Sequence, residues 1–116
     1  MLMENNIIKG SKGEFLAQKY LKENKYTILQ TNYKCKIGEI DIIARKCNVL
    51  VFVEVKARES KRFGMPREAV NYYKQQKIKQ VATSYMLSKG LYEKCQIRFD
   101  VIDILGDKVA HIENAF

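Results

Sequence analysis

Proline occurs once in this chain, at Pro66, and histidine once, at His111. Cysteine is sparse: Cys35, Cys47 and Cys95 are odd in number, and no two stand in a C-x-x-C spacing. That excludes a disulfide framework and a zinc-ligand pattern, and predicts reduced thiols in a cytoplasmic protein. No apolar run approaches the roughly 18 residues that a bilayer span requires. The opening stretch, Met1 to Lys9, holds only Ile7-Ile8 as an apolar pair and carries Glu4, which does not make a signal peptide. A membrane partner is therefore not expected. Repeats, low-complexity tracts and linkers are also missing, so the 116 residues are read as one domain, 1–116. Acidic residues are the last shortage: 13 Asp and Glu face 21 Lys and Arg, for a formal charge of +8.

What is present is an ordinary globular balance, 47% hydrophobic and 29% charged, which argues against disorder. Such a basic excess on a short chain suits polyanionic partners, nucleic acid above all. Helical spacing of Leu16, Ala17, Tyr20 and Leu21 predicts a helix over about Ser11 to Asn24. Gly10, Gly13 and Ala17 lie along its inner face, where small residues let a neighbour approach closely, and Glu14 lies near the edge of that stripe. Tyr26 to Tyr33, Gly38 to Ala44 and Val49 to Arg58 are strand-like, the last two joined by a short turn at Cys47-Asn48. Asn71 is a plausible N-cap for a helix ending near Leu87 before Gly90, with Ile78, Val81, Ala82 and Tyr85 facing inward. Ile97 to Leu105 and Lys108 to Ile112 form a final strand pair around Gly106-Asp107. The expected fold is α/β (α+β): a central mixed five-stranded sheet flanked by helices, in the order α-β-β-β-α-β-β.

The chemistry concentrates in the two strong strands. Alternate strand residues share a face, which groups Phe52, Glu54 and Lys56 against Val51, Val53 and Val55. It likewise groups Glu39, Asp41 and Ile43 against Ile40, Ile42 and Ala44. A hairpin centred between Cys47 and Asn48 sets Asp41 opposite Glu54 and Glu39 opposite Lys56. Directly opposed residues have Cβ atoms about 4.5–5.5 Å apart, and two carboxylates that close repel unless a proton or cation joins them. A hard cation such as Mg²⁺ or Mn²⁺ takes oxygen ligands and keeps several waters. Asp41, Glu54 and the Val55 carbonyl would supply them. Lys56 lies about 6.6 Å along the strand from Glu54, close enough to orient a water or stabilise developing charge.

Several segments together resemble the YraN family of small bacterial proteins. They are GSKGE (10–14), AQKYL (17–21), GEIDIIA (38–44), VFVEVKAR (51–58), FGMPREAV (63–70), RFDV (98–101) and HIENAF (111–116). The family is similar to Holliday-junction resolvases within the PD-(D/E)xK, restriction-endonuclease-like superfamily. This resemblance implies a nuclease fold with Asp41 as the motif aspartate and Glu54-x-Lys56 as the E-x-K element. It also implies Glu14 as a carboxylate contributed by the first helix, near the metal.

A Mg²⁺-dependent endonuclease acting on structured DNA is therefore expected, DNA ahead of RNA, with a homodimer anticipated by analogy with resolvases. The alternatives are a non-catalytic nucleic-acid-binding module and a protein-interaction adaptor. Arg58, Lys61, Arg62, Arg67 and Lys74 are candidates for tracking a phosphate backbone, although for Lys74 a solvated side chain is the expected reading ahead of that role. Glu39 is a candidate supporting partner of Lys56. Asp100 and His111 are expected to be structural. Tyr72 and Tyr73 are candidates for base stacking, with one of them expected to pack in the core.

Overall fold

The computed structural model describes residues 2–58 and 70–116, with side chains in the first helix described from position 12. The element order is α1 (Leu2–Glu23), β1 (Thr27–Lys34), β2 (Glu39–Lys46), β3 (Val49–Arg58), α2 (Tyr72–Ser88), β4 (Gln96–Leu105) and β5 (Lys108–Ile112). All five strands join one sheet in the order β1-β2-β3-β4-β5. Neighbours are antiparallel except β3 and β4, which run parallel because α2 carries the chain back across the sheet. The expected α+β architecture is thus the observed one. The basic stretch Glu59 to Pro66, with Lys61 and Arg62, and Arg67 beyond it, lies outside the described residues.

Each sheet face buries its own core. Ile42, Ala44, Val51, Val53, Ile102 and Ile104 pack under α1 with Ala17 and Leu21. Ile43, Leu50, Phe52, Phe99 and Val101 pack under α2 with Ile78, Val81, Ala82 and Tyr85. The inward set expected on α2 is buried throughout. The central strands, covered on both faces, accordingly read as near-continuous apolar runs.

Local signals set the element ends. The Asn71 side chain accepts a hydrogen bond from the Lys74 backbone N–H, the expected N-cap. Gly90 follows the C-cap in the left-handed region at φ 69°. Gly13 is buried, and a Cβ built there would stand 3.1 Å from the Ala57 Cβ. Glycine is what allows α1 to lie this close to β3. The first helix begins earlier than Ser11, at Leu2.

Two strand expectations need correction. The β2–β3 register follows the expected hairpin from Lys46↔Val49 to Ile42↔Val53 but goes no further. Asp41 and Glu54 are therefore not a ladder pair. Ile40 pairs with Tyr33 of β1 and packs beneath α2 with Ile43, rather than sharing a face with Ile42 and Ala44. Simple alternation breaks at Asp41, where β2 parts from β3.

Candidate carboxylate–lysine site

The parting of β2 from β3 makes the site. Where the ladder stops, the Asp41 carboxylate takes the next hydrogen bond across the gap: its Oδ2 accepts from the Val55 N–H at 2.8 Å. The Glu54 carboxyl stands close enough for each acid to shift the other's titration. Glu54 is buried, 6% exposed, directly after the apolar run Val49 to Val53. Two carboxylates this close repel, which favours the protonated form of one of them. Burial raises the Asp41 pKa most, followed by the hydrogen bond and charge of Glu54, with a smaller push from Glu14. The Val55 N–H opposes these effects, and Asp41 is pushed up to about 8. Burial would raise Glu54 too, but the hydrogen bonds from Asp41 and Lys74 hold it below its usual value. Asp41 is thus pushed toward its protonated form and Glu54 toward its charged form.

Two amines complete the cluster. Lys74 Nζ, from the first turn of α2, lies 2.6 Å from Glu54 Oε2. Burial lowers the Lys74 pKa, but the Glu54 carboxylate outweighs it and the net shift is upward. Lys56, two residues beyond Glu54, is lowered by burial and then by its hydrogen-bonded neighbour Lys74. Asp41, Glu54, Val55, Lys74, Tyr73 and Lys77 line a cleft of about 560 Å³ between α2 and the split of the hairpin.

The expected residues fall into three groups. Asp41, Glu54, Lys56 and Lys74 come together. Lys74 carries more of the site than a solvated lysine would, because it is the ion-pair partner of the buried glutamate. No local pattern signals this, since the pair joins residues on different elements.

Glu14 stands at one remove. Its Oε2 accepts from Asn32 Nδ2 at 3.1 Å in an exposed position, and it reaches Asp41 only through its charge. Among the described residues, no three His, Cys, Asp or Glu side chains stand close enough to hold a metal ion together.

The third group makes its contacts outside the cluster, although Glu39 also lines the cleft. Glu39 pairs with Lys34 in the ladder and lies 4.0 Å from its ammonium, exposed, instead of opposing Lys56. Lys56 lies opposite Asp103 of β4. Arg58 is bound to Asp103 at 3.0 Å, with side chains only 12% and 4% exposed. It ties two parallel strands together and does not present itself to a phosphate backbone. Tyr72 and Tyr73 are both exposed, which corrects the expectation that one packs in the core.

Sequence reasoning passed over a second polar cluster, on the face beneath α1. Asp100 is fully buried and accepts from Arg98 Nε and Nη2, from the Asn114 backbone N–H and from His111 Nε2 at 2.7 Å. Burial would raise its pKa, yet these partners hold it below the usual carboxylate range. His111 Nδ1 in turn meets Tyr20 Oη at 3.1 Å. This network pins β5 and the closing residues to α1, and the structural role expected of Asp100 and His111 is the one observed.

Fold and site together define a class: a small α+β domain whose central hairpin splits beside a half-buried aspartate, a buried glutamate and two lysines. The Uncharacterised protein family UPF0102 matches residues 13–104, and the chain belongs to it. It is similar to a UPF0102 protein of Caldanaerobacter subterraneus subsp. tengcongensis, 49% identical over 92% of this chain and 93% of that one. A UPF0102 protein of Clostridium botulinum is 47% identical over 92% of each. The family is the one called YraN, so the resemblance drawn from the motifs holds. Among solved structures, the crystal structure of SSO0001 is a distant likeness, with a TM-score of 0.47 at 20% identity, covering 94% of this chain and 52% of that one.

Proposed function

We propose that the chain is a divalent-metal-dependent nuclease that hydrolyses phosphodiesters in structured DNA. The observation that carries this reading is the pairing of half-buried Asp41 with buried Glu54 where both line one cleft. Holding two carboxylates in such a place costs stability, and a hard cation would relieve their repulsion. The donor set suits Mg²⁺ or Mn²⁺: two carboxylates and, one residue on, the Val55 carbonyl, with water completing the shell. Such an ion, when bound, acidifies water and offsets charge on a phosphate.

The chain's own groups supply the rest. Asp41 gives up its proton as the pair becomes a ligand set. Lys56, partly buried and lowered in pKa, positions a water or donates to the developing oxyanion. Lys74 holds Glu54 in place and stands beside Lys56, able to exchange a carboxylate partner for a phosphate oxygen. Glu14 adds negative charge within reach of Asp41. The +8 charge of the chain draws the polyanion in.

One observation favours a second reading. Lys74 already compensates Glu54, as an internal cation would in a module that binds nucleic acid without cutting it. The test is purified protein with branched, single-stranded and duplex DNA, in Mg²⁺, Mn²⁺ or EDTA. Cleavage is expected with either metal, lost in EDTA and reduced at least about a hundredfold by Glu54→Ala. Cleavage that survives Glu54→Ala rejects the site, and metal-independent binding without cleavage favours the binding module.

A further inference from the structure

Tyr73 spends a large aromatic ring on water. It is 70% exposed on the first turn of α2, yet it lines the same cleft as Asp41 and Glu54. Core packing does not account for it, since the buried face of this helix is made by Ile78, Val81, Ala82, Tyr85 and Met86. The capping of the helix does not require it either, because Asn71 does that work. What Tyr73 does have is a cation: Lys77, one turn later, holds its ammonium 5.5 Å from the ring centroid and lines the same cleft. Neighbouring Tyr72 is 73% exposed but is not among the cleft-lining residues. Successive helix positions diverge by about 100°, so the two rings cannot serve one surface.

We infer that Tyr73 is a stacking platform for an unpaired base at the mouth of the cleft, with Lys77 contacting the adjoining phosphate. The inference deepens the nuclease reading, on which it rests, by naming the substrate class: nucleic acid with single-stranded character at or beside the scissile phosphate. A ring has two faces. Lys77 takes one, and the base takes the other. Duplex interiors hide base faces in their own stack, whereas single strands, flaps and branch points offer them. Base–aromatic stacking tolerates any base, so the site selects for unpairing and not for sequence.

The test is the binding of fluorescently labelled single-stranded and duplex oligonucleotides of equal length, by anisotropy, at low salt in EDTA so that nothing is cut. The wild-type chain binds the single strand more tightly. Tyr73→Ala weakens single-strand binding by about tenfold and duplex binding by less than about twofold, as loss of one stacked base requires. Tyr73→Phe, which keeps the ring, restores the single-strand affinity, and Tyr72→Ala leaves it unchanged. The inference is overturned if Tyr73→Ala weakens both substrates equally, or neither, or if the wild-type chain binds no oligonucleotide. Because Tyr73 is exposed, thermal unfolding of each variant should match wild type, which separates stacking from misfolding. The nuclease reading is scored apart from this: stacking without metal-dependent cleavage leaves a single-strand-binding module. Cleavage that needs Glu54 but ignores Tyr73 leaves a nuclease without the platform.

Discussion

Asp41 keeps a proton that its unfolded counterpart would release, because burial and the neighbouring Glu54 both oppose a second negative charge. The consequence for stability has a definite sign. The folded carboxyl titrates near about 8 and the unfolded one near its ordinary 3.8. The bound proton therefore stabilises the fold fully below about pH 4, and that contribution is lost as pH rises through about 8. Glu54, shifted downward, acts in the opposite sense and only at acid pH. Asp41→Asn imitates the protonated acid permanently. It should flatten the decline in stability between about pH 6 and pH 9. At the upper end it should exceed wild type by at least about 1.4 kcal/mol, since more than one pKa unit separates the folded from the unfolded carboxyl. Urea unfolding at both pH values measures this, and identical pH dependence in the two proteins would remove the Asp41 proton from the account.

At the scale of elements, the site depends on how closely α1, α2 and the split hairpin are held. Gly13 sets the first of these distances, since a Cβ there would already press on Ala57 at 3.1 Å. Gly13→Val should destabilise the domain by about 1–3 kcal/mol through overpacking, read as a lower urea midpoint with an unchanged slope. A neutral effect would show that α1 can shift freely. Much at this scale was legible from sequence, because its causes are local. The alternation of Val49–Arg58 gave the strand, Asn71 capped α2, and the two-residue turn at Cys47-Asn48 fixed the register as far as Ile42↔Val53. What escaped is non-local. The ladder ends because Asp41 spends its side chain on the Val55 backbone, and that turns Ile40 toward α2. Arg58 pairs with Asp103 only because β3 and β4 run parallel, a relation joining residues 45 positions apart. Lys74 reaches Glu54 only once α2 has crossed the sheet. Opposed charges in one strand were readable; their partners on other elements were not.

The whole molecule places its two polar clusters on opposite faces of one sheet. Beneath α1, the Arg98–Asp100–His111–Tyr20 network has its charges and hydrogen bonds matched, as a structural centre should. Beside α2, Asp41 and Glu54 stand together in a cleft, with Lys74 paired to Glu54. No helix among the described residues is long and apolar enough to cross a membrane, and the chain carries 21 basic against 13 acidic residues. The nuclease reading requires Asp41 and Glu54 to take up a divalent ion together, with release of a proton from Asp41. Calorimetric titration with Mn²⁺ at about pH 7, repeated in buffers of different ionisation enthalpy, tests it most directly. The account predicts one ion bound per chain with about one proton released, and neither event in Glu54→Gln. Absence of Mn²⁺ binding up to millimolar concentration, or binding that is unchanged in Glu54→Gln or releases no proton, would contradict it.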